Sequence, residues 1–172
     1  MPAPVQCLLL ACGNALRQDD GVGPWLADWA LDNILSEPGL RILSRHQWAP
    51  ELAEDIAHAR SVLFLDTSTS TLPGQVLLLP VKPSSTVQGL ATHHLDPPQL
   101  LCLARALYGV IPEEALLLTV GAASLEFQQD FSAIVHEALP RASELLQQTI
   151  QRLCHLPKPV LAPSPESPCQ QI

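Results

Sequence analysis

Short apolar runs alternate with stretches of helical periodicity over the first third of the chain. Residues 5–11 form an apolar run in which Gln6 is the one polar residue, and such a run is typical of a strand covered on both faces. The next segments predict a helix, a strand at 40–43, a helix at 50–59 and a strand at 61–65 that ends at Asp66. The first of these helices is indicated by a proline suited to the first turn and by apolar residues at helical spacing: Pro24, Trp25, Leu26, Trp29 and Ala30.

The second half of the chain continues the alternation. A Pro73-Gly74 turn precedes a strand at 75–79, which we expect at an antiparallel edge of the sheet. A helix at 97–107, a strand at 115–120 and a long helix at 131–153 follow, and Pro140 predicts a kink or a break in the last helix.

This order of elements predicts an α/β fold of the doubly wound type. We expect a mostly parallel five-stranded sheet with helices on both faces, a three-layer αβα arrangement. Residues 1–156 are predicted to form a single domain, and the proline-rich segment 157–172 is predicted to be a disordered tail.

The turn between the first strand and the first helix carries two adjacent carboxylates, Asp19 and Asp20. Gly13-Asn14 before them and Gly21-x-Gly23 after them give the backbone freedom to aim these side chains. Two interpretations are open: the pair serves chemistry at the edge of the sheet, or one of the two aspartates caps the helix that begins near Val22.

Two further groups are predicted at the same edge of the sheet. Asp66 ends the third strand, and His93 and His94 lie in the loop before a later helix. Turns at the carboxyl ends of parallel strands are close in space, so Asp20, Asp66 and one imidazole are expected to converge. Such a set suits nickel or zinc, and it suits general acid–base catalysis. The structural alternatives are that Asp66 only accepts hydrogen bonds from the following turn and that the histidines are exposed.

Composition narrows the function classes. The chain has 172 residues, 47% of them hydrophobic, and a formal net charge of −8, which allows a core of ordinary size and disfavours nucleic acid as a partner. No apolar run approaches the length of a membrane span and no signal peptide is evident, so we expect a soluble cytoplasmic protein. The five cysteines include no CxxC pair, and Cys12 is expected to pack in the core more than to act as a nucleophile.

Three motifs in this order resemble a known family. They are Gly13-Asn14-x-Leu16-x-x-Asp19-Asp20-Gly21-x-Gly23-Pro24, the strand that ends in Asp66, and Thr92-His93-x-Leu95 before a leucine-rich helix. Together they are similar to the [NiFe]-hydrogenase maturation endopeptidases. In that family, a short C-terminal extension is removed from the large-subunit precursor after nickel has been inserted.

The resemblance implies the roles of particular residues here. Asp20, Asp66 and His93 would form the catalytic and nickel-recognising site of an aspartic-type endopeptidase, and His94 would occupy a variable position. The nickel would be carried by the precursor and not bound tightly by the free enzyme, which we expect to be a monomer without nucleic-acid or membrane partners.

Three alternatives stay open at this point. A nucleotide-binding module is disfavoured because Gly-x-Gly-x-x-Gly is absent after the first strand. A non-catalytic assembly chaperone or nickel-binding protein would use the same three residues without cutting. A zinc hydrolase would hold stoichiometric metal when purified.

Overall fold

A computed structural model describes residues 5–34, 37–85 and 95–157 of the protein. Its five strands are β1 (Val5–Cys12), β2 (Leu40–Arg45), β3 (Ala59–Ser68), β4 (Val76–Pro80) and β5 (Glu114–Gly121). Its four α-helices are α1 (Val22–Asn33), α2 (Leu52–Ala57), α3 (Pro97–Tyr108) and α4 (Ala133–Cys154). A short 3-10 helix, Gln18–Gly21, leads directly into α1.

The strands form one sheet in the order β2-β1-β3-β5-β4. The pairs β1·β2, β1·β3 and β3·β5 are parallel, and β4 runs antiparallel to β5 at the edge. The predicted α/β class and the antiparallel edge strand are therefore confirmed.

Alternating residues of β1 supply two separate cores. Cys7, Leu9 and Ala11 pack with residues of α1 and α4 on one face of the sheet. Leu8 and Leu10 pack with residues of α2 and α3 on the other face. Because both faces are covered, every residue of this central strand from Cys7 to Cys12 is apolar, which explains the hydrophobic run in the sequence.

Several predicted boundaries differ from the structure, and two of them are explained by strand pairing. The helix expected at 50–59 ends at Ala57, because Ala59 already pairs with Val5 in the parallel β1·β3 ladder. The third strand continues past Leu65 to Ser68, since its pairing with β5 extends to Gly121. Asp66 consequently lies inside β3 near its carboxyl end, opposite Thr119 of β5.

The predicted break at Pro140 is not observed. Helix α4 runs from Ala133 to Cys154 with Pro140 inside it. A proline removes one backbone donor from the helical ladder, and the burial of Leu139 and Ala142 beside it contributes the packing that offsets this loss.

Some sequence predictions fall outside the described residues. These are the histidine pair His93 and His94 and the segment 158–172 of the predicted tail. Across the described ranges, every helix is too short or too polar to traverse a lipid bilayer.

Candidate functional site

The carboxyl ends of β1 and β3 lie side by side at the point where the strand order reverses. From β1 the chain passes to β2 on one side, and from β2 it returns to β3 on the other side of β1. Helix α1 covers one face of the sheet and α2 covers the other. In open α/β sheets the crevice at such a reversal is where ligands bind. Asp20 follows β1 and Asp66 lies near the end of β3, so both are placed beside this crevice.

Asp20 is oriented by the turn that follows β1. Its Oδ2 accepts a hydrogen bond from the backbone N–H of Asn14 at 3.1 Å, and the Asn14 side chain accepts one from the N–H of Leu16 at 2.9 Å. The turn therefore folds back on the carboxylate that follows it, which keeps the second oxygen of Asp20 available for another partner.

Two glycines allow the turn and α1 to approach the sheet closely. A Cβ atom on Gly13, whose φ is +146°, would lie 2.0 Å from the carbonyl oxygen of Asp20. A Cβ atom on Gly23 would lie 2.2 Å from the carbonyl oxygen of Cys12 and 3.0 Å from that of Leu65. Gly23 thus fixes the first turn of α1 against the ends of both β1 and β3, which brings Asp20 towards Asp66.

We expect Gly23→Ala to displace α1 from the sheet edge and to lower both stability and activity. The new methyl group has no room beside two backbone carbonyls, and overpacking of this kind costs about 1–3 kcal/mol. Urea unfolding would measure the loss of stability, and an assay of catalytic activity would measure the loss of activity.

Gly109→Ala is the matched control for this prediction. Gly109 also has a positive φ, +73°, but a Cβ there meets nothing within 4 Å and the residue lies at the far end of α3. This variant should lose about 1 kcal/mol of stability and keep its activity. Equal losses of activity in the two variants would contradict a positioning role for Gly23.

Asp66 is held by two hydrogen bonds. Its Oδ1 accepts from the backbone N–H of Thr67 at 2.8 Å, and its Oδ2 accepts from the indole Nε1–H of Trp48 at 3.2 Å. Trp48 is 7% exposed and packs edge-to-face on Phe64 with ring centroids 5.4 Å apart, so its indole is fixed by the core. The bond from Thr67 is the backbone contact that the structural alternative expected, and the bond from Trp48 goes beyond it.

Burial raises the pKa of Asp66 to about 6. The hydrogen bonds from Thr67 and Trp48 oppose this effect, and the negative charge of Asp20 adds to it. The two carboxylates are therefore near enough for their charges to interact, which is the arrangement that separates the proton affinities of paired acids.

Cys12 lies at the end of β1 beside both carboxylates. Burial, followed by the charges of Asp66 and Asp20, raises the pKa of its thiol to about 12. A thiol with so high a pKa carries almost no thiolate at neutral pH, and the thiolate is the reactive form. The geometry accordingly favours packing over nucleophilic catalysis for Cys12.

Asp19 has a structural role and is not part of the crevice. Its side chain is fully buried and accepts four hydrogen bonds: from the N–H groups of Ala123, Ser124 and Ser132, and from the hydroxyl of Ser132. Burial raises the pKa of a carboxyl group, but these bonds outweigh it and hold the pKa of Asp19 below its usual range. The capping interpretation is wrong, because α1 begins after Gly21 without any side-chain cap.

The third predicted ligand, His93, lies outside the described residues, as does His94. Within 5–34, 37–85 and 95–157, no three His, Cys, Asp or Glu side chains are grouped so as to hold a metal ion. Among the described residues, two carboxylates lie at the crevice, and His93, the imidazole that the resemblance implies, lies outside them.

Sequence reasoning missed Trp48. It lies in the short segment between β2 and α2, where a tryptophan stands between the polar pair His46-Gln47 and Ala49-Pro50. An aromatic residue in such a loop is a signal of burial, and the loop follows a strand whose carboxyl end is at the same edge as the carboxylates.

Two surface depressions lie near these elements. A small recess of about 120 Å³ adjoins the first turn and is lined by Gly13, Ala15, Pro24, Ser44, Arg45 and His46. A wider groove of about 500 Å³ lies between α1 and α4, with Trp25, Trp29 and Leu139 on its walls. Only the recess borders the turn that carries Asp20, so we associate the recess, and not the wider groove, with the site.

The described fold is shared with solved structures of hydrogenase maturation peptidases. For the hydrogenase maturating endopeptidase HybD from E. coli the TM-score is 0.66 at 22% identity, over 85% of this chain and 92% of that chain. For the [NiFe] hydrogenase maturation protease HycI from Thermococcus kodakarensis it is 0.64 at 19% identity, over 87% and 94%. For the hydrogenase 2 maturation peptidase from a Thaumarchaeota archaeon it is 0.60 at 23% identity, over 84% and 97%. No protein-family model and no curated protein sequence matches this chain.

Proposed function

We propose that this protein is an endopeptidase that removes the C-terminal extension of a [NiFe]-hydrogenase large-subunit precursor after nickel insertion. The observation that carries the proposal is that Asp20 and Asp66 both lie beside the strand-order reversal, with the charge of Asp20 acting on Asp66, in a fold shared with hydrogenase maturation peptidases. The extent of the match supports it, since nearly the whole length of each of those peptidases is covered.

The chemistry of the two carboxylates supports recognition of a metal that arrives with the substrate. Carboxylate oxygens, together with the imidazole of His93, form a set of three ligands that suits nickel but leaves open positions. Such a set binds a free ion weakly. A nickel ion already held by the precursor would complete its coordination here, and the metal would then orient the peptide at a fixed distance from Asp20 and Asp66.

The reaction itself is hydrolysis of one peptide bond. Water adds to the carbonyl carbon, the C–N bond breaks, and a proton is delivered to the leaving amine. Asp66, with its pKa raised to about 6, is suited to accept a proton from the attacking water and to return it to the amine. We assign Asp66 this role in addition to its place among the three ligands, and we assign Asp20 the role of a ligand that holds the metal-bearing segment.

The test is incubation of the purified protein with each nickel-iron hydrogenase large-subunit precursor of the source organism. Mass spectrometry should reveal a C-terminal truncation of the nickel-loaded precursor and an intact chain when nickel is withheld. A stable complex without truncation would instead favour an assembly chaperone and would overturn the peptidase proposal.

Activity should fall on mild acidification. The ionised form of Asp66 is the proton acceptor and metal ligand, so kcat/KM should decline below about pH 6, by about tenfold per pH unit once the group is mostly protonated. A profile of kcat/KM recorded from about pH 8 down to about pH 5, with unfolding monitored in parallel, would measure this decline. A flat profile through pH 6 in a folded enzyme would contradict the role of Asp66 as a base.

A further inference from the structure

Two large apolar side chains stand in solvent beside the candidate site. Leu16 is 57% exposed and Phe127 is 85% exposed. Arg17 links them: it follows Leu16 in the chain, and its guanidinium carbon lies 5.8 Å from the centroid of the Phe127 ring. We call these three residues, Leu16, Arg17 and Phe127, the rim patch.

The exposure of the rim patch is imposed by a rigid backbone. The N–H of Gln18 donates to the carbonyl of Gln128 at 2.7 Å, and the N–H of Asp19 donates to that of Ser124 at 3.2 Å. Gln18 has a φ of +46°, a left-handed conformation that non-glycine residues adopt only where the surroundings hold them. Because the buried carboxylate of Asp19 joins the two segments, neither can turn its apolar side chain inward independently.

The rim patch is continuous with Asp20. Asn14 donates its N–H to the Asp20 carboxylate and accepts the N–H of Leu16 on its side chain. The Leu16 backbone and the Asp20 carboxylate therefore share one residue as a partner. A macromolecule that presents a group to Asp20 must lie against this turn and cover part of the rim patch.

We propose that the rim patch docks an apolar segment of the polypeptide substrate next to the bond that is cut. This proposal rests on the proposed function for the identity of the substrate. Aromatic and arginine side chains dominate binding free energy at protein interfaces, and the patch offers one of each beside a leucine. The Arg17 guanidinium can also donate hydrogen bonds to peptide carbonyls.

The surrounding charges favour a polypeptide over a membrane. Asp20 lies next to the patch and the formal net charge of the chain is −8, which repels anionic lipid headgroups. The same acidic surroundings attract a segment that carries a metal cation. A second copy of this chain brings the same negative charge to the interface and is therefore a poorer occupant.

The experiment measures cleavage and binding of the purified precursor with Phe127→Ala and Leu16→Ala. Each substitution removes apolar area that the substrate would cover, so kcat/KM should fall about tenfold, and the loss should be carried by KM and not by kcat. Binding of the precursor to a cleavage-deficient Asp66→Asn background should weaken by a similar factor when Phe127→Ala is added.

Tyr108→Ala and Leu107→Ala are the matched controls. These residues are 43% and 63% exposed and lie at the end of α3, at the opposite edge of the sheet from Asp20. They should leave KM and binding unchanged.

The outcomes separate the two proposals. Cleavage by the wild type with an unchanged KM and unchanged binding in the rim variants would overturn the docking surface and leave the peptidase in place. Binding that is lost in Phe127→Ala without any cleavage by the wild type would overturn the peptidase and retain the docking surface. A dimer of the wild type that dissociates in Phe127→Ala would assign the patch to a second copy and overturn docking of the substrate.

Discussion

Conversion of Asp66 to Asn is expected to slow precursor cleavage by about 100-fold or more. Asparagine has the same shape as aspartate but neither its charge nor its basicity, so it can neither accept the proton from water nor hold the incoming metal. Asp20→Asn should have a comparable effect, and so should His93→Ala if the resemblance assigns that residue correctly. The rate at which truncated large subunit appears in single-turnover mass spectrometry would measure each loss.

The fold should survive Asp66→Asn. Burial makes the charged form of Asp66 unfavourable, as its raised pKa indicates, so removal of the charge stabilises the folded state. Loss of the hydrogen bond from the Trp48 indole works in the other direction. We expect the two effects to offset each other to within about 1 kcal/mol of unfolding free energy.

His94→Ala is the control for the histidine assignment. The resemblance places His94 at a variable position, so this variant should retain most of the wild-type rate. An inactive His94→Ala together with an active His93→Ala would reverse the assignment of the ligand. Asp66→Asn with full activity would refute the two-carboxylate site itself.

Replacement of Asp19 by Ala is expected to lower the free energy of unfolding by about 3–5 kcal/mol. The substitution removes a fully buried carboxylate and leaves three backbone N–H groups and one hydroxyl, all in part-buried hydrogen bonds, without their acceptor. It also removes the side-chain attachment between the turn after β1 and the segment after β5, and leaves the backbone bonds from the N–H groups of residues 18 and 19. Urea unfolding followed by circular dichroism would measure the loss.

Asp20→Ala is the matched control, because the neighbouring aspartate accepts only the bond from Asn14 among the hydrogen bonds found in the described chain. It should change stability by about 1 kcal/mol or less while abolishing cleavage. Similar stabilities of Asp19→Ala and Asp20→Ala would contradict the division of roles between these adjacent residues.

At acid pH, the difference in unfolding free energy between the wild type and Asp19→Ala should become smaller. The pKa of Asp19 is lowered in the folded state, so its contribution to stability is fully present above the unfolded pKa of about 3.9. That contribution is lost as the pH falls through the folded pKa. The two proteins should therefore converge in stability at low pH, and unfolding curves recorded at decreasing pH would follow the convergence.

The sheet could be predicted from the sequence because strands that are buried on both faces give runs of apolar residues. The apolar runs at β1 and β3 predicted parallel strands, and the Pro73-Gly74 turn predicted the antiparallel edge. The ends of strands were harder to predict from the sequence, since they depend on the neighbouring strand. Strand β3 reaches Ser68 only because β5 continues beside it to Gly121. Helix α4 passes through Pro140 for a similar reason, because tertiary packing overrides local preference.

At the candidate site, the sequence predicted which turns lie close together, but it did not predict which side chain has which role. The adjacent residues Asp19 and Asp20 look equivalent in a linear motif. Only the position of Ser132, 113 residues further along the chain, reveals that Asp19 is a buried hydrogen-bond acceptor. The bond between Trp48 and Asp66 is hidden for the same reason, since it joins a loop to the end of a strand, and their approach depends on the sheet.

The partners of Asp19 are mostly main-chain amides: three of its four hydrogen bonds come from backbone N–H groups. Hydrogen bonds to backbone N–H groups do not depend on the identity of the side chains around them. The segment from Leu125 to Asp130 can therefore diverge in sequence, or be exchanged for one with other apolar side chains, without loosening its attachment. Retargeting of this scaffold to a new protein substrate would begin in that segment, with Asp19 left untouched.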